Sequence, residues 1–218
     1  MELGVLLKKI ALNQNLTPLE LDFIENIGRE TQLRNSQVAG WSLVGQTKLN
    51  IEFPFAPIYS EILASDKASI SIRIPGNYNH LLILSSGRST VASIDSSLCM
   101  QINGDTGNNY IAEFLYGLED TPGASHNYAI DHLIIGGLAG TTASASKTES
   151  GFCLIPNIKS SLYKVSIALL SGLGTDATYA ASLRACNWNN TGKITSGLIY
   201  SSSGNILSGS IVSVFGII

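Results

Sequence analysis

The stretch KASISIRIPGNYNHLLILSSG, residues 67–87, decides how the rest of the chain is read. From Ser69 to Ile74 polar and apolar residues alternate with a period of two, the pattern of a strand with one buried face. Pro75, Gly76 and Asn77 interrupt it as a turn does, and a short apolar run of strand length follows from His80. The same pattern recurs on both sides. KLNIEFPF (48–55), SLCMQIN (97–103), NYIAEFLY (109–116), AIDHLIIGG (129–137), GFCLIP (151–156), YKVSIALLS (163–171), TYAASLRAC (178–186), KITSGLIYS (193–201) and GSIVSVFGI (209–217) all read as strands. Turn clusters such as NGDTGNN (103–109), EDTPGAS (119–125) and NWNNTG (187–192) separate them. About ten strands at this spacing predict a mainly β chain, an antiparallel β-sandwich with jelly-roll topology over residues 46–218.

The start of the chain is different. In L-T-P-L-E (16–20), Thr17 is placed as an N-cap, Pro18 at the first helical position and Glu20 to close a capping box. Leu21, Phe23, Ile24 and Ile27 follow at helical spacing, which predicts a helix over about 18–38, ended by Gly40. Residues 1–45 are therefore expected to form a helical arm.

Of the 218 residues only 13% are charged, about half the ordinary share. Small neutral polar residues take their place: 28 Ser, 21 Gly, 16 Asn and 13 Thr. The net charge of −3 lacks the basic footprint of a nucleic-acid reader. No apolar stretch reaches the roughly 18–20 residues of a membrane span, and LGVLLKKIAL (3–12) carries lysines inside its apolar run, unlike a secretory signal. The expected place of synthesis is thus a cytoplasm.

Residues for chemistry are sparse. Cys99, Cys153 and Cys186 are far apart, odd in number and without C-x-x-C spacing, which favours three buried free thiols. Asp131 and His132 are neighbours, and in a regular strand neighbours point to opposite faces, so they are not expected to share a site. His126 joins His132 only if the intervening loop folds back. Glu113, Glu119, Asp120 and Asp131 are close in sequence but read as solvated loop positions, and Asp105 reads as capping its own loop. No catalytic residue, cofactor or metal is expected, and the chain is read as a non-enzyme.

Ser, Thr and Asn standing where Lys and Glu usually do suit surfaces buried against copies of the same chain, because a hydrogen-bonded hydroxyl is cheaper to desolvate than a charge. A symmetric oligomer is expected, with a trimer favoured by analogy with other jelly rolls.

The closing strand GSIVSVFG (209–216), with Trp188 and KITSGLIYS (193–201) before it, is similar to the ending of many tailed-bacteriophage virion proteins. YNHLLILSSGRS (78–89) and INGDTGNNY (102–110) resemble their central elements, so the likeness spans roughly residues 60–216. The resemblance implies a jelly-roll, usually trimeric, non-enzymatic virion component assembled in the host cytoplasm, with Arg88 and Asp105 in structural roles. Its expected partners are its own copies and the major capsid protein or other virion proteins. Unlike tail-fibre members, the chain has no repetitive shaft. A capsid decoration (cement) protein is therefore the first expectation, with Leu21, Phe23, Ile24, Ile27 and Trp41 as capsid or oligomer contacts. A short tail-fibre or spike tip, with Tyr128 and Trp188 as host-glycan contacts, is the alternative.

Overall fold

A computed structural model describes residues 55–118, 121–173 and 179–218. The chain divides after Glu52, and the description concerns the unit Phe53–Ile218. The sequence places the division seven residues earlier. The expected helix at 18–38 and the contacts Leu21, Phe23, Ile24, Ile27 and Trp41 lie outside the described residues, as does most of KLNIEFPF.

Among the described residues there are strands and no helix. In chain order they are β1 (Phe55–Ile62), β2 (Ser69–Arg73), β3 (His80–Gly87), β4 (Asp95–Ile102), β5 (Tyr110–Leu118), β6 (Thr121–Ile130), β7 (Leu133–Ala139), β8 (Glu149–Ile155), β9 (Lys164–Leu173), β10 (Tyr179–Trp188), β11 (Ser196–Ser201) and β12 (Ile211–Ile217). They form two antiparallel sheets. Eight strands run in the order β1-β12-β3-β8-β9-β10-β5-β6, and four in the order β2-β11-β4-β7.

Two of these strands were not expected. β1 contains Pro57, which cannot donate to a ladder, and it is tolerated because β1 is an edge strand whose register slips between Pro57 and Tyr59. β6 occupies TPGASHNYAI, read from its Pro, Gly, Ser and Asn as turn and loop; it too is an edge strand, paired only with β5. A third difference is the break of AIDHLIIGG at Asp131 and His132, which form a bend between β6 and β7.

The core lies between the sheets. Ile70 and Ile72 of β2, Leu81 and Ile83 of β3, Leu98 and Met100 of β4, and Val212 and Val214 of β12 are all at most 5% exposed, as their alternation requires. β7 is buried on every residue and lies across from β3, β8 and β9. Its approach to β8 depends on glycines, since a Cβ on Gly151 would stand 2.6 Å from the Gly136 Cα and 2.9 Å from the Ile135 carbonyl oxygen. Backbone cannot swing aside as a side chain can. Gly151→Ala is expected to destabilise the protein by about 1–3 kcal/mol, the usual cost of overpacking, as read from urea unfolding midpoints.

Candidate functional site

The outward face of the eight-stranded sheet is the candidate. Strand register lines up its side chains in rows that cross the sheet. One row runs Ser213, Leu84, Phe152, Leu169, Leu183, Leu115 from β12 to β5. The Ser60 hydroxyl of β1 continues it, 2.8 Å from that of Ser213. Its five large side chains are between 38% (Leu84) and 60% (Leu115) exposed. The row on one side of it begins at Ile211 of β12, 41% exposed, and is small from β3 onward: Ser86, Ser150, Ser171, Ala181 and Gly117. The row on the other side is Phe215, Leu82, Leu154, Ile167, Ala185 and Glu113.

A ridge of leucines and a phenylalanine thus stands beside a trough of serines and small residues. The trough is an open groove bordered by Leu115, Phe152, Leu169 and Leu183. From β12 to β5, Glu113 is the one charged side chain among the described outward-facing residues of these rows. Contiguous apolar patches on monomers rarely exceed a few hundred Å². The signal for this face is present in YKVSIALLS: Val165, Ile167 and Leu169 alternate with Ser166, Ala168 and Leu170, so from Val165 to Leu170 neither face of β9 carries a charge.

The two edges of this sheet differ. Beside β1, Lys67 donates to both carboxylate oxygens of that strand's Glu61 at 2.7 Å and the Tyr59 hydroxyl donates to the same group, holding the carboxyl below its usual range. Charge, a proline and a slipped register blunt that edge. β6 at the other edge carries no charge, and Tyr128 on it is 61% exposed, its ring 4.4 Å from that of His126.

Trp188 is not available to a sugar. It is 1% exposed, stacked on Tyr110 with 6.4 Å between centroids, and its Nε1–H donates to Asp105 Oδ2 at 2.8 Å. The expectation that pairs it with Tyr128 as a glycan contact is corrected, because an indole must be exposed on one face to hold a sugar. Asp105 also accepts from the Gly107 N–H at 3.0 Å and from Asn109 Nδ2 at 3.1 Å. The Trp188 bond above all, then the Gly107 and side-chain amide donors, holds its carboxyl below the ordinary range. Asn103 and Gly104 take the positive φ angles of 55° and 71° that turn the chain here. Asp105 therefore caps its own loop and secures the tryptophan.

Compared with family models, with curated proteins and with solved structures, the chain has no match.

The remaining chemistry is local. In the bend after β6, Asp131 Oδ1 and His132 Nδ1 meet at 2.5 Å, contrary to the opposite faces expected of strand neighbours, because neither residue is in a strand. Gln101 Nε2 donates to Asp131 Oδ2 at 3.3 Å, and the His132 ring meets Tyr200 edge-on at 6.0 Å. His80 accepts from the Asn157 N–H, and Glu113 lies opposite His126 across the β5–β6 pair. Cys99, Cys153 and Cys186 are free and buried, and burial pushes all three thiols up, away from the reactive thiolate. Glu119 and Asp120 lie outside the described residues. Among the described residues no group of three His, Cys, Asp or Glu could hold a metal ion.

Proposed function

We propose that this chain is a non-enzymatic structural protein of a bacteriophage virion, a capsid decoration (cement) protein whose trimers bind and stabilise the shell. The observation that carries the reading is the wide face of the eight-stranded sheet, with Glu113 as the one charge in its described rows, which suits a subunit surrounded by other subunits. The partner proteins would be its own copies and the major capsid protein, and the weak contacts of each trimer would add up over the lattice. The head is proposed to be a jelly roll. What supports this is the alternation of strands between sheets: β2, β4, β7 and β11 fall in the small sheet, while β3, β5, β6 and β10 fall in the large one. The β8–β9 hairpin is then an insertion between β3 and β10, and β1 with β12 an extension at the edge.

In this reading residues 1–45 make the capsid contact through Leu21, Phe23, Ile24, Ile27 and Trp41. Phe23→Asp with Ile24→Asp is expected to reduce binding of the full chain to undecorated capsids at least 100-fold, in a co-sedimentation assay, with the strand signal in circular dichroism unchanged. Undiminished binding overturns the role of the arm. The exposed Tyr128 beside His126 favours a second reading, a tail-fibre or spike tip that stacks a host glycan on Tyr128. Immunogold labelling of particles at the tail, with the capsid bare, would select it.

A further inference from the structure

We infer that the outward face of the eight-stranded sheet is the contact between copies of this chain, the Leu84–Phe152–Leu169–Leu183–Leu115 ridge of one copy lying in the serine trough of the next. The inference rests on the oligomeric reading above and places the interface within it.

Three features select a second copy as the occupant. The first is area. Six strands about 4.8 Å apart and three rows about 6.7 Å apart give a face of about 24 by 13 Å between backbones, and side-chain margins bring it to about 500 Å². That is the larger part of the roughly 800 Å² that one partner contributes to a stable interface. The second is shape. Ridge and trough are adjacent rows of the same sheet, displaced by two residues along every strand, so each copy carries both the projecting and the receiving half. A projecting row on one copy that meets a receiving row on the next is a heterologous contact, the kind that closes into a ring.

The third is charge. A partner that recognised this face through ion pairs would find only Glu113 at its margin. A copy brings the same serines, which can satisfy one another across the contact as Ser60 and Ser213 do within the sheet. Desolvating such hydroxyls costs little once they are paired.

The test uses the full chain in analytical ultracentrifugation. The wild-type protein is expected to sediment as a trimer. Leu169→Asp on the ridge and Ser171→Arg in the trough are each expected to sediment as monomers at concentrations where the wild type is fully assembled, with the strand signal retained. Leu162→Asp, at an exposed position outside the strands, is expected to leave the trimer intact. If Leu169→Asp fails to fold, Ser171→Arg decides alone, because it replaces one exposed polar residue with another. A monomeric wild type overturns the inference. A trimer that survives both substitutions overturns the placement of the interface while leaving the trimer standing. A dimer that both substitutions dissociate supports the interface and overturns the number three. Capsid binding is read separately, so loss of the virion reading is told apart from loss of this one.

Discussion

Trp188→Ala is expected to destabilise the protein by about 3–5 kcal/mol, the range for emptying a buried aromatic site. Two losses combine. The indole leaves a cavity beside Tyr110 and the buried stem of Lys164, its cross-strand neighbour on β9. Asp105 loses its strongest donor. Trp188→Phe separates them in part, since it keeps a six-membered ring in the pocket and removes the N–H with the pyrrole portion; it is expected to cost at least about 1.5–3 kcal/mol, the value of a hydrogen bond to a charged group.

The pH dependence gives an independent check on this contact. Asp105 has a folded-state pKa below its ordinary value, so as pH falls the unfolded chain takes up the proton first. Its contribution is therefore complete above about pH 4, the ordinary carboxylate value, and is lost as pH falls toward the lowered folded value. Urea midpoints should fall less steeply between pH 5 and pH 3 in Trp188→Phe than in the wild type. Parallel acid limbs would remove Trp188 as the cause of the shift.

Local rules read most of the strands because most of this chain obeys local rules. KASISIRI buries Ile70 and Ile72 and exposes Ser69 and Ser71, as a period of two demands. NGDTGNN caps itself within five residues, through the Gly107 N–H and Asn109 side chain on Asp105, so its loop character was visible too. The readings that differ from the structure turn on pairing and backbone geometry that composition does not report. TPGASHNYAI has the composition of a loop and becomes a strand only because β5 pairs with it and nothing pairs beyond. The rule that puts neighbours such as Asp131 and His132 on opposite faces presupposes regular strand geometry, and the bend withdraws that premise.

Trp188 shows the same limit at a single residue. In a polar loop sequence, NWNNTG, an indole reads as exposed; its burial is set by Asp105, 83 residues away. The low charge of the chain was countable from the start, but its location was not. Apolar residues on both faces of β9 do not say which face is the core. The four-stranded sheet decides that, and once it covers one face the other face holds the uncharged rows.

Arg88→Leu is expected to cost about 2–4 kcal/mol, through a loop rather than through the core. The guanidinium donates from Nη1 to the carbonyls of Ser144 and Lys147, and from Nη2 to those of Gly140 and Ala143, at 2.5–3.0 Å. One side chain thus organises the turn that carries the chain from β7 to β8, the two strands that approach most closely across the sandwich. Four charge-assisted bonds do not add to four times the value of one, because they share a single cation and the exposed carbonyls regain water. Arg88→Lys should recover less than half of the loss, since a compact ammonium cannot reach both pairs of carbonyls as the planar fork does. Hydrogen exchange gives the site-specific readout: the amides of Thr141 and Lys147, bonded to Val91 and Ser144, should lose protection in Arg88→Leu while those of β3 and β12 keep theirs. A variant within 0.5 kcal/mol of the wild type, with these amides still protected, would show that the turn holds itself and that Arg88 merely covers it.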